Sequence, residues 1–141
     1  MIRPALLEDF TAIDMFDIFA GDRHAEIVDN RLLVAEIDGH VVGYVSWLPG
    51  GFVGRDYITF LNVDPSHERR GIGRALLQAA EAAIGAGRVF VSTEDDNHAM
   101  LALLRVEGWI HAGAVAGANA GDRAEMFFYK DRPARAEEET S

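Results

Sequence analysis

Residues 57–77, YITFLNVDPSHERRGIGRALL, constrain the fold of this chain more than any other stretch. Tyr57-Ile58-Thr59-Phe60-Leu61-Asn62-Val63 is rich in β-branched and aromatic residues and runs into Asp64-Pro65. It predicts a strand, central and buried, halted by a residue that cannot donate to a ladder. Gly71 and Gly73 flank Ile72, and the strong helix formers from Arg74 onward place Leu76, Leu77, Ala80 and Ile84 on one face. The glycines therefore mark a helix start. Such a start offers N–H groups and the positive end of the macrodipole, and glycine lets an anion approach that backbone closely. With Arg69, Arg70 and Arg74 around it, the stretch predicts a cradle for a pyrophosphate.

A Gly-x-Gly triplet is equally a tight turn, so its context decides. The stretch lacks the Lys-Ser/Thr ending of a P-loop, and Leu76 stands where a dinucleotide fingerprint has its third glycine. The segment from Asp64 to Arg70 separates strand from glycines, whereas a dinucleotide-binding turn follows its strand directly, although Glu94 could mimic the ribose-binding acid.

On the N-terminal side, Ile2 to Ala5 reads as an edge strand limited by Pro4. Residues 8–20 carry Phe10, Ile13, Phe16 or Asp17, and Ala20 at helical spacing, and residues 24–30 form a shorter helix anchored by Ala25, Ile27 and Val28. Two apolar runs, residues 31–37 and 40–48, joined by Asp38-Gly39, predict a hairpin. Pro49-Gly50-Gly51 breaks the second run, and residues 52–56 are a loop.

On the C-terminal side, Gly85-Ala86-Gly87 caps the helix, and residues 88–93 are a buried strand reached by a right-handed crossover and parallel to its neighbour. Glu94-Asp95-Asp96-Asn97 is either a helix cap or a source of catalytic base. The helix at 98–107 buries Met100, Leu101, Leu103 and Leu104 and ends at Gly108. Strands follow at 109–115 and 124–130, and residues 131–141 form a polar, disordered tail.

The 141 residues suit one domain with a real core. Composition is 49% hydrophobic and 26% charged, with no apolar run long enough for a membrane span, so a soluble, cytoplasmic protein is expected. There is no cysteine, which removes disulfides, thiolate metal sites and a Cys-linked acyl intermediate. The five histidines lack ligand spacing, and no metal is expected. A net charge of −10 disfavours nucleic acid and anionic lipid and suits a cationic or amine substrate.

Glu68-Arg69-Arg70-Gly71-Ile72-Gly73 resembles the Gln/Arg-x-x-Gly-x-Gly/Ala signature of the GNAT superfamily of acetyl-CoA-dependent N-acetyltransferases, with Glu68 replacing the usual first residue. Residues 97–109 are similar to the family's Asn-x-x-Ala-x-x-x-Tyr-x-x-x-Gly-Phe pattern. Asn97, Gly108 and the aromatic Trp109 match it, while Met100 and Leu104 replace alanine and tyrosine. The resemblance runs from about residue 2 to 130. It implies a mixed α/β (α+β) fold with a mostly antiparallel central sheet of six to seven strands and about four helices, splayed between strands 4 and 5. Residues 1–130 would form the acetyltransferase domain. The coenzyme's pantetheine arm would lie in the splay against main-chain groups of Leu61, Asn62 and Val63. Arg69, Arg70, Gly71, Ile72, Gly73 and Arg74 would hold the pyrophosphate, and Asn97, Met100 and Leu104 would complete the coenzyme site.

The implied reaction is transfer of acetyl from acetyl-CoA to a primary amine of a small molecule, amino acid or peptide, by direct attack in a ternary complex. That chemistry needs a base for the ammonium proton, donors for the oxyanion and an acid for the thiolate. Glu94, Asp95 and Tyr57 are the catalytic candidates. Leu104 cannot serve as the acid, which leaves Tyr57, Tyr129, Ser92 or water. The missing tyrosine and Glu68 keep a second reading open, an acyl-CoA-sensing module without turnover. No nucleic-acid or membrane partner is expected, and the resemblance admits a homodimer.

Overall fold

The computed structural model describes residues 1–133. The described residues form seven strands and four α-helices in a mixed α/β arrangement. The chain divides into two compact units. The first comprises Met1–Leu48 and Ile58–Ile84, and the second comprises Pro49–Tyr57 and the residues from Gly85 onward.

In the first unit, β1 (Ile2–Pro4), β2 (Leu32–Ile37), β3 (His40–Phe52) and β4 (Arg55–Val63) follow one another in the sheet in chain order. β1 and β2 are antiparallel with Arg3 opposite Val34, and β2 and β3 are antiparallel with Val34 opposite Tyr44. Asp38 and Gly39 both adopt positive φ, 51° and 79°, the mirror-image turn that matches strand twist and that this dipeptide favours. One face of this unit closes over Ala5, Ile13, Ile27, Leu32, Val34 and Tyr44, with Phe10, Phe16 and Phe60 against them. A second layer comes from α3 (Ile72–Ile84), which lies along β1 and β2. Leu76, Leu77 and Ala80 are wholly buried, and each leucine contributes about 2 kcal/mol of burial free energy.

Three expectations in this unit change. The helix foreseen at 8–20 is a short turn at Leu7–Asp9 followed by α1 (Phe10–Asp14). The chain leaves the helix because Asp17 is drawn inward, where its carboxylate accepts the Phe19 N–H and the Tyr44 hydroxyl. In α2 (His24–Val28) Ile27 is buried, whereas Val28 is exposed, and the inward positions are taken by Arg23 and Glu26. Finally, β4 is not buried along its length: only Ile58 and Asn62 are, and the others are half-buried or, at Arg55, exposed.

The second unit contains β5 (Gly87–Glu94), β7 (Glu125–Arg132) and β6 (Ile110–Val115), with β7 lying antiparallel between the other two. α4 (His98–Val106) begins on Asn97, whose side chain accepts the Met100 N–H at 3.2 Å. It ends on Gly108, φ 83°, with the Trp109 N–H returning to the Leu104 carbonyl at 2.9 Å. Of its four expected core residues only Leu104 is fully buried; Met100, Leu101 and Leu103 are half-buried.

Pro49-Gly50-Gly51 does not break the chain. β3 continues to Phe52, Gly50 takes a left-handed φ of 67°, and its N–H donates to Asp56. The hairpin into β4 turns on Val53 and Gly54, both at positive φ. A β-branched residue in that region is uncommon, so Val53 carries no turn signal in the sequence. β7 also runs two residues past the expected end at Lys130, because Asp131 pairs with Arg88 and Arg132 with Gly87 in the ladder. The rest of the foreseen tail, from residue 134, lies outside the described residues.

Candidate functional site

The glycine-rich stretch lies wholly in the first unit. β4 stops where the Asp64 N–H reaches the Val42 carbonyl, 2.8 Å. The Asp64 carboxylate then caps a short turn at Pro65–His67 by accepting the Ser66 N–H and hydroxyl. Those bonds, the backbone one foremost, hold its carboxyl below the ordinary aspartate range. Arg69 and Gly71 both take left-handed φ, 65° and 77°, before α3 begins at Ile72. Successive N–H groups in such a turn form an anion-binding concavity. The N–H groups of Ile72, Gly73 and Arg74 precede the first intrahelical bond, Ala75 N–H to Gly71 carbonyl at 3.0 Å. Arg69, Arg70 and Arg74 are exposed around it.

Two glycines fix this arrangement in different ways. At Gly43 on β3 a Cβ would meet the Asn62 carbonyl and Leu76 Cδ1 at 3.1 Å, so glycine lets the first turn of α3 sit close on the strands. At Gly73 a Cβ would meet only Val63 Cγ2, at 3.8 Å, and φ is not positive. Neither packing nor backbone requires glycine there. The space above it is open to a ligand.

Beneath Phe60 and Asn62 lies a charged network that sequence reasoning missed. The Asp17 carboxylate accepts the Tyr44 hydroxyl at 2.7 Å and the Asn62 amide at 3.4 Å. Its other oxygen is 3.4 Å from Arg23 Nε, and Arg23 Nη1 is 3.1 Å from Glu26. Neither of those two contacts is aligned as a hydrogen bond, so charge alone joins them. Arg23 also donates to the Ala20 carbonyl and stacks 3.9 Å over Phe60. Burial, aided by the Asp17 acceptor, pushes the Tyr44 hydroxyl far above the usual tyrosine range.

Leu61, half-buried on β4, also belongs to the first unit, and the other expected site residues belong to the second. Tyr57 and Ser92 share a hydrogen bond of 2.5 Å, and burial raises the Tyr57 hydroxyl above its ordinary value despite that bond. The Glu94 carboxylate is 3.0 Å from Arg123, which also lies 3.9 Å from Asp96. Asp95 is engaged with Ala124, accepting its N–H and donating to its carbonyl. Asn97 is a helix cap. Leu104 has no exposed surface. Among the described residues no group of His, Asp and Glu is placed to hold a metal ion, and no helix is long and apolar enough to cross a membrane.

The sequence model of the Acetyltransferase (GNAT) family matches residues 2–109. The chain belongs to the GNAT acetyltransferase family. A mycothiol acetyltransferase from Kineococcus radiotolerans is 38% identical over 81 residues, which is 57% of this chain and 27% of that protein. The chain therefore matches only about a quarter of that curated relative's length. A GNAT acetyltransferase from Bacillus cereus superposes with a TM-score of 0.81 at 22% identity, covering 94% of this chain and 96% of that one. A Salmonella typhimurium structure containing its cofactor acetyl-CoA gives a TM-score of 0.77 at 20% identity, covering 96% and 95%. These likenesses show the GNAT fold, in agreement with the sequence reading.

Within this GNAT chain the structure brings Asn62, Val63 and the Arg69 to Arg74 loop together in one unit. Val63 lies against Gly73, and the Asn62 carbonyl faces the strand position, Gly43, that seats α3. In the other unit Tyr57 meets Ser92, while Glu94 and Asp95 are tied separately to Arg123 and Ala124. The position at which the family pattern has tyrosine is, in this GNAT member, an enclosed leucine. The Asp17 network has one sequence trace, an aspartate beside Phe16 at an inward helical position.

Proposed function

We propose that this chain transfers an acetyl group from acetyl-CoA to a primary amine of a small molecule, amino acid or peptide, by direct attack in a ternary complex. The observation that carries this reading is Gly73. It opens the first turn of α3 where the fold has no need of glycine, beside N–H groups without intrahelical partners. A side chain there would fill the cradle. The residues present fit a pyrophosphate: the amides of Gly71, Ile72, Gly73 and Arg74 would hold it, with Arg69, Arg70 and Arg74 neutralising its charge. Family membership supports the same donor. When bound, acetyl-CoA supplies an activated thioester.

The chain's part is to take and give protons and to orient the acceptor. Tyr57, its hydroxyl raised by burial and joined to Ser92, stays protonated at neutral pH and is the acid we assign. Glu94 and Asp95 are the assigned bases, Glu94 held by Arg123 and Asp95 by the Ala124 backbone. Backbone N–H groups of the Leu61 to Val63 segment are the assigned oxyanion donors.

Titration calorimetry with acetyl-CoA tests the shared premise, and no heat at about millimolar ligand, far weaker than any useful donor affinity, overturns it. CoA release with a panel of amines then tests turnover. The enclosed Leu104 favours a second reading, an acyl-CoA sensor, which binding without turnover across the panel and across pH would select.

A further inference from the structure

The catalytic candidates of the second unit stand on an aromatic sheet face. Strand alternation puts Arg88, Phe90, Ser92 and Glu94 of β5 on one face, opposite Asp131, Tyr129, Phe127 and Glu125 of β7. Phe52, the last residue of β3, lies on this face, stacked on Phe127 with ring centroids 5.0 Å apart and 4.7 Å from Phe90, with Tyr57 at 5.8 Å. Phe52, Tyr57, Phe90, Phe127 and Tyr129 are all half-buried, so each keeps surface open to solvent.

The two ends of the face differ. At one end Arg88 is paired with Asp131 at 2.7 Å and lies 4.2 Å over the Tyr129 ring, so a cation of the protein already closes it. At the other end Glu94 and Glu125 sit directly opposite each other in the ladder. Like charges in that relation repel unless a cation compensates them. Arg123 meets Glu94 at 3.0 Å, while Glu125 accepts from the neutral Asn119 amide, also at 3.0 Å. Burial is the main cause that raises the Tyr57 hydroxyl, and the charge of Glu125 adds to it, which sets Glu125 near Tyr57 as well. An aromatic floor thus runs into a carboxylate that has the assigned acid, Tyr57, and an assigned base, Glu94, as neighbours.

We propose that this face binds the acceptor, and that the acceptor is an arylalkylamine, an aromatic ring joined through a short alkyl linker to a primary ammonium. The ring lies against Phe52 and Phe127, and the ammonium donates to Glu125 and Glu94. Phe127 and Glu125 are two positions apart on β7, roughly 7 Å along the strand, a separation that a short linker spans. Paired aromatic rings gain beyond the area they bury, and an ammonium next to a ring face gains again. The same groups select against relatives of this amine. An aromatic amino acid brings a second carboxylate to Glu94 and Glu125 and is repelled, and an aliphatic amine leaves the rings without a partner. This inference rests on the proposed acetyl transfer for the roles of Tyr57 and Glu94, and it adds Glu125, Phe52 and Phe127 as the residues that choose the substrate.

Binding is measured apart from turnover. Calorimetry of the full chain at neutral pH should give phenethylamine a dissociation constant at least about tenfold lower than that of hexylamine or of phenylalanine. Glu125→Gln, which keeps an acceptor for Asn119, should weaken phenethylamine at least about fivefold with the far-ultraviolet circular dichroism unchanged. Phe127→Leu should abolish the preference over hexylamine, and Phe52→Leu makes the same test if Phe127→Leu does not fold. Equal affinities for the three amines overturn the proposal, and so does the absence of phenethylamine binding at about 10 mM, weaker than any useful acceptor affinity. A folded Glu125→Gln chain that binds phenethylamine as the wild type does also overturns it. CoA release with the same amines tests the reaction separately. Selective binding without release overturns acetyl transfer and leaves the arylalkylamine site, whereas release without preference overturns the site and leaves acetyl transfer.

Discussion

In the proposed cradle, a side chain at Gly73 would occupy the space of the pyrophosphate while disturbing little of the protein, since Val63 is the nearest neighbour at 3.8 Å. Gly73→Val should therefore raise the acetyl-CoA dissociation constant by at least about tenfold, as expected when backbone contacts to a phosphate are blocked. Its melting temperature should move little. Calorimetry paired with a thermal melt checks both, and unchanged affinity in the folded variant would mean the donor sits elsewhere. Leu104 makes the opposite case. On sequence alone, tyrosine there would restore an acid; in the structure, the leucine has no exposed surface. Leu104→Tyr forces a ring and a hydroxyl into filled space, at a cost of about 1–3 kcal/mol. A melting temperature lowered by several degrees is expected, and an unchanged one would show that the site has room.

At the scale of elements, α3 is seated by the absence of a side chain on β3. A methyl at Gly43 would stand 3.1 Å from both the Asn62 carbonyl and Leu76 Cδ1, and of these only the leucine can yield cheaply. Gly43→Ala should destabilise the fold by about 1–3 kcal/mol, as overpacking does. It should also weaken acetyl-CoA binding, because the helix start is displaced with its glycines. Denaturant unfolding and calorimetry measure the two effects, and loss of neither would separate Gly43 from the cradle. The strand, turn and helix around Gly71 and Gly73 are legible in sequence because each is set by local chemistry: β-branched residues, Asp64-Pro65, then glycines and helix formers. The Asp38-Gly39 hairpin is legible for the same reason. The Val53-Gly54 hairpin is not, since a valine at φ 52° is dictated by its two strands against its own preference. The network of Asp17, Arg23, Glu26 and Tyr44 is equally hidden. Helical spacing assumes that inward positions are apolar, and here polar and charged partners 3 to 45 residues apart in sequence meet inside. The cradle proposed for the acetyl donor is one continuous stretch of chain, so sequence shows all its members together. For the proton-transfer groups, the acidic run Glu94 to Asn97 divides into an ion pair, a backbone bridge and a helix cap, a division that no spacing rule reveals.

For the molecule as a whole, two electrostatic effects oppose each other as pH falls. The net charge of −10 favours expansion by self-repulsion, and the protons taken up as pH falls relieve part of it. Specific carboxylates act in the other direction. Asp9 is nearly buried and accepts two bonds from Arg3, at 2.8 and 3.0 Å, and one from the Leu6 N–H. The Arg3 bonds are the main cause that holds its carboxyl below the ordinary range. A carboxyl depressed in the folded state stabilises fully above its unfolded value, about 3.9, and the contribution is lost as pH falls through the folded value. Asp64 and Asp131 are depressed by Ser66 and Arg88 in the same sense, but they lie nearer to solvent than Asp9 and weigh less. The melting temperature should therefore hold or rise slightly from pH 7 to about 5 and fall steeply below about pH 4, where the depressed carboxyls protonate. Asp9→Asn should lower the plateau and flatten the acid limb, because the group that titrates is gone while the amide cannot replace the ion pair. Thermal melts of both chains across this range decide the matter. An acid limb equally steep in Asp9→Asn would assign the loss to other groups, and a wild-type chain as stable at pH 3 as at pH 6 would leave the Arg3–Asp9 pair without weight in the fold.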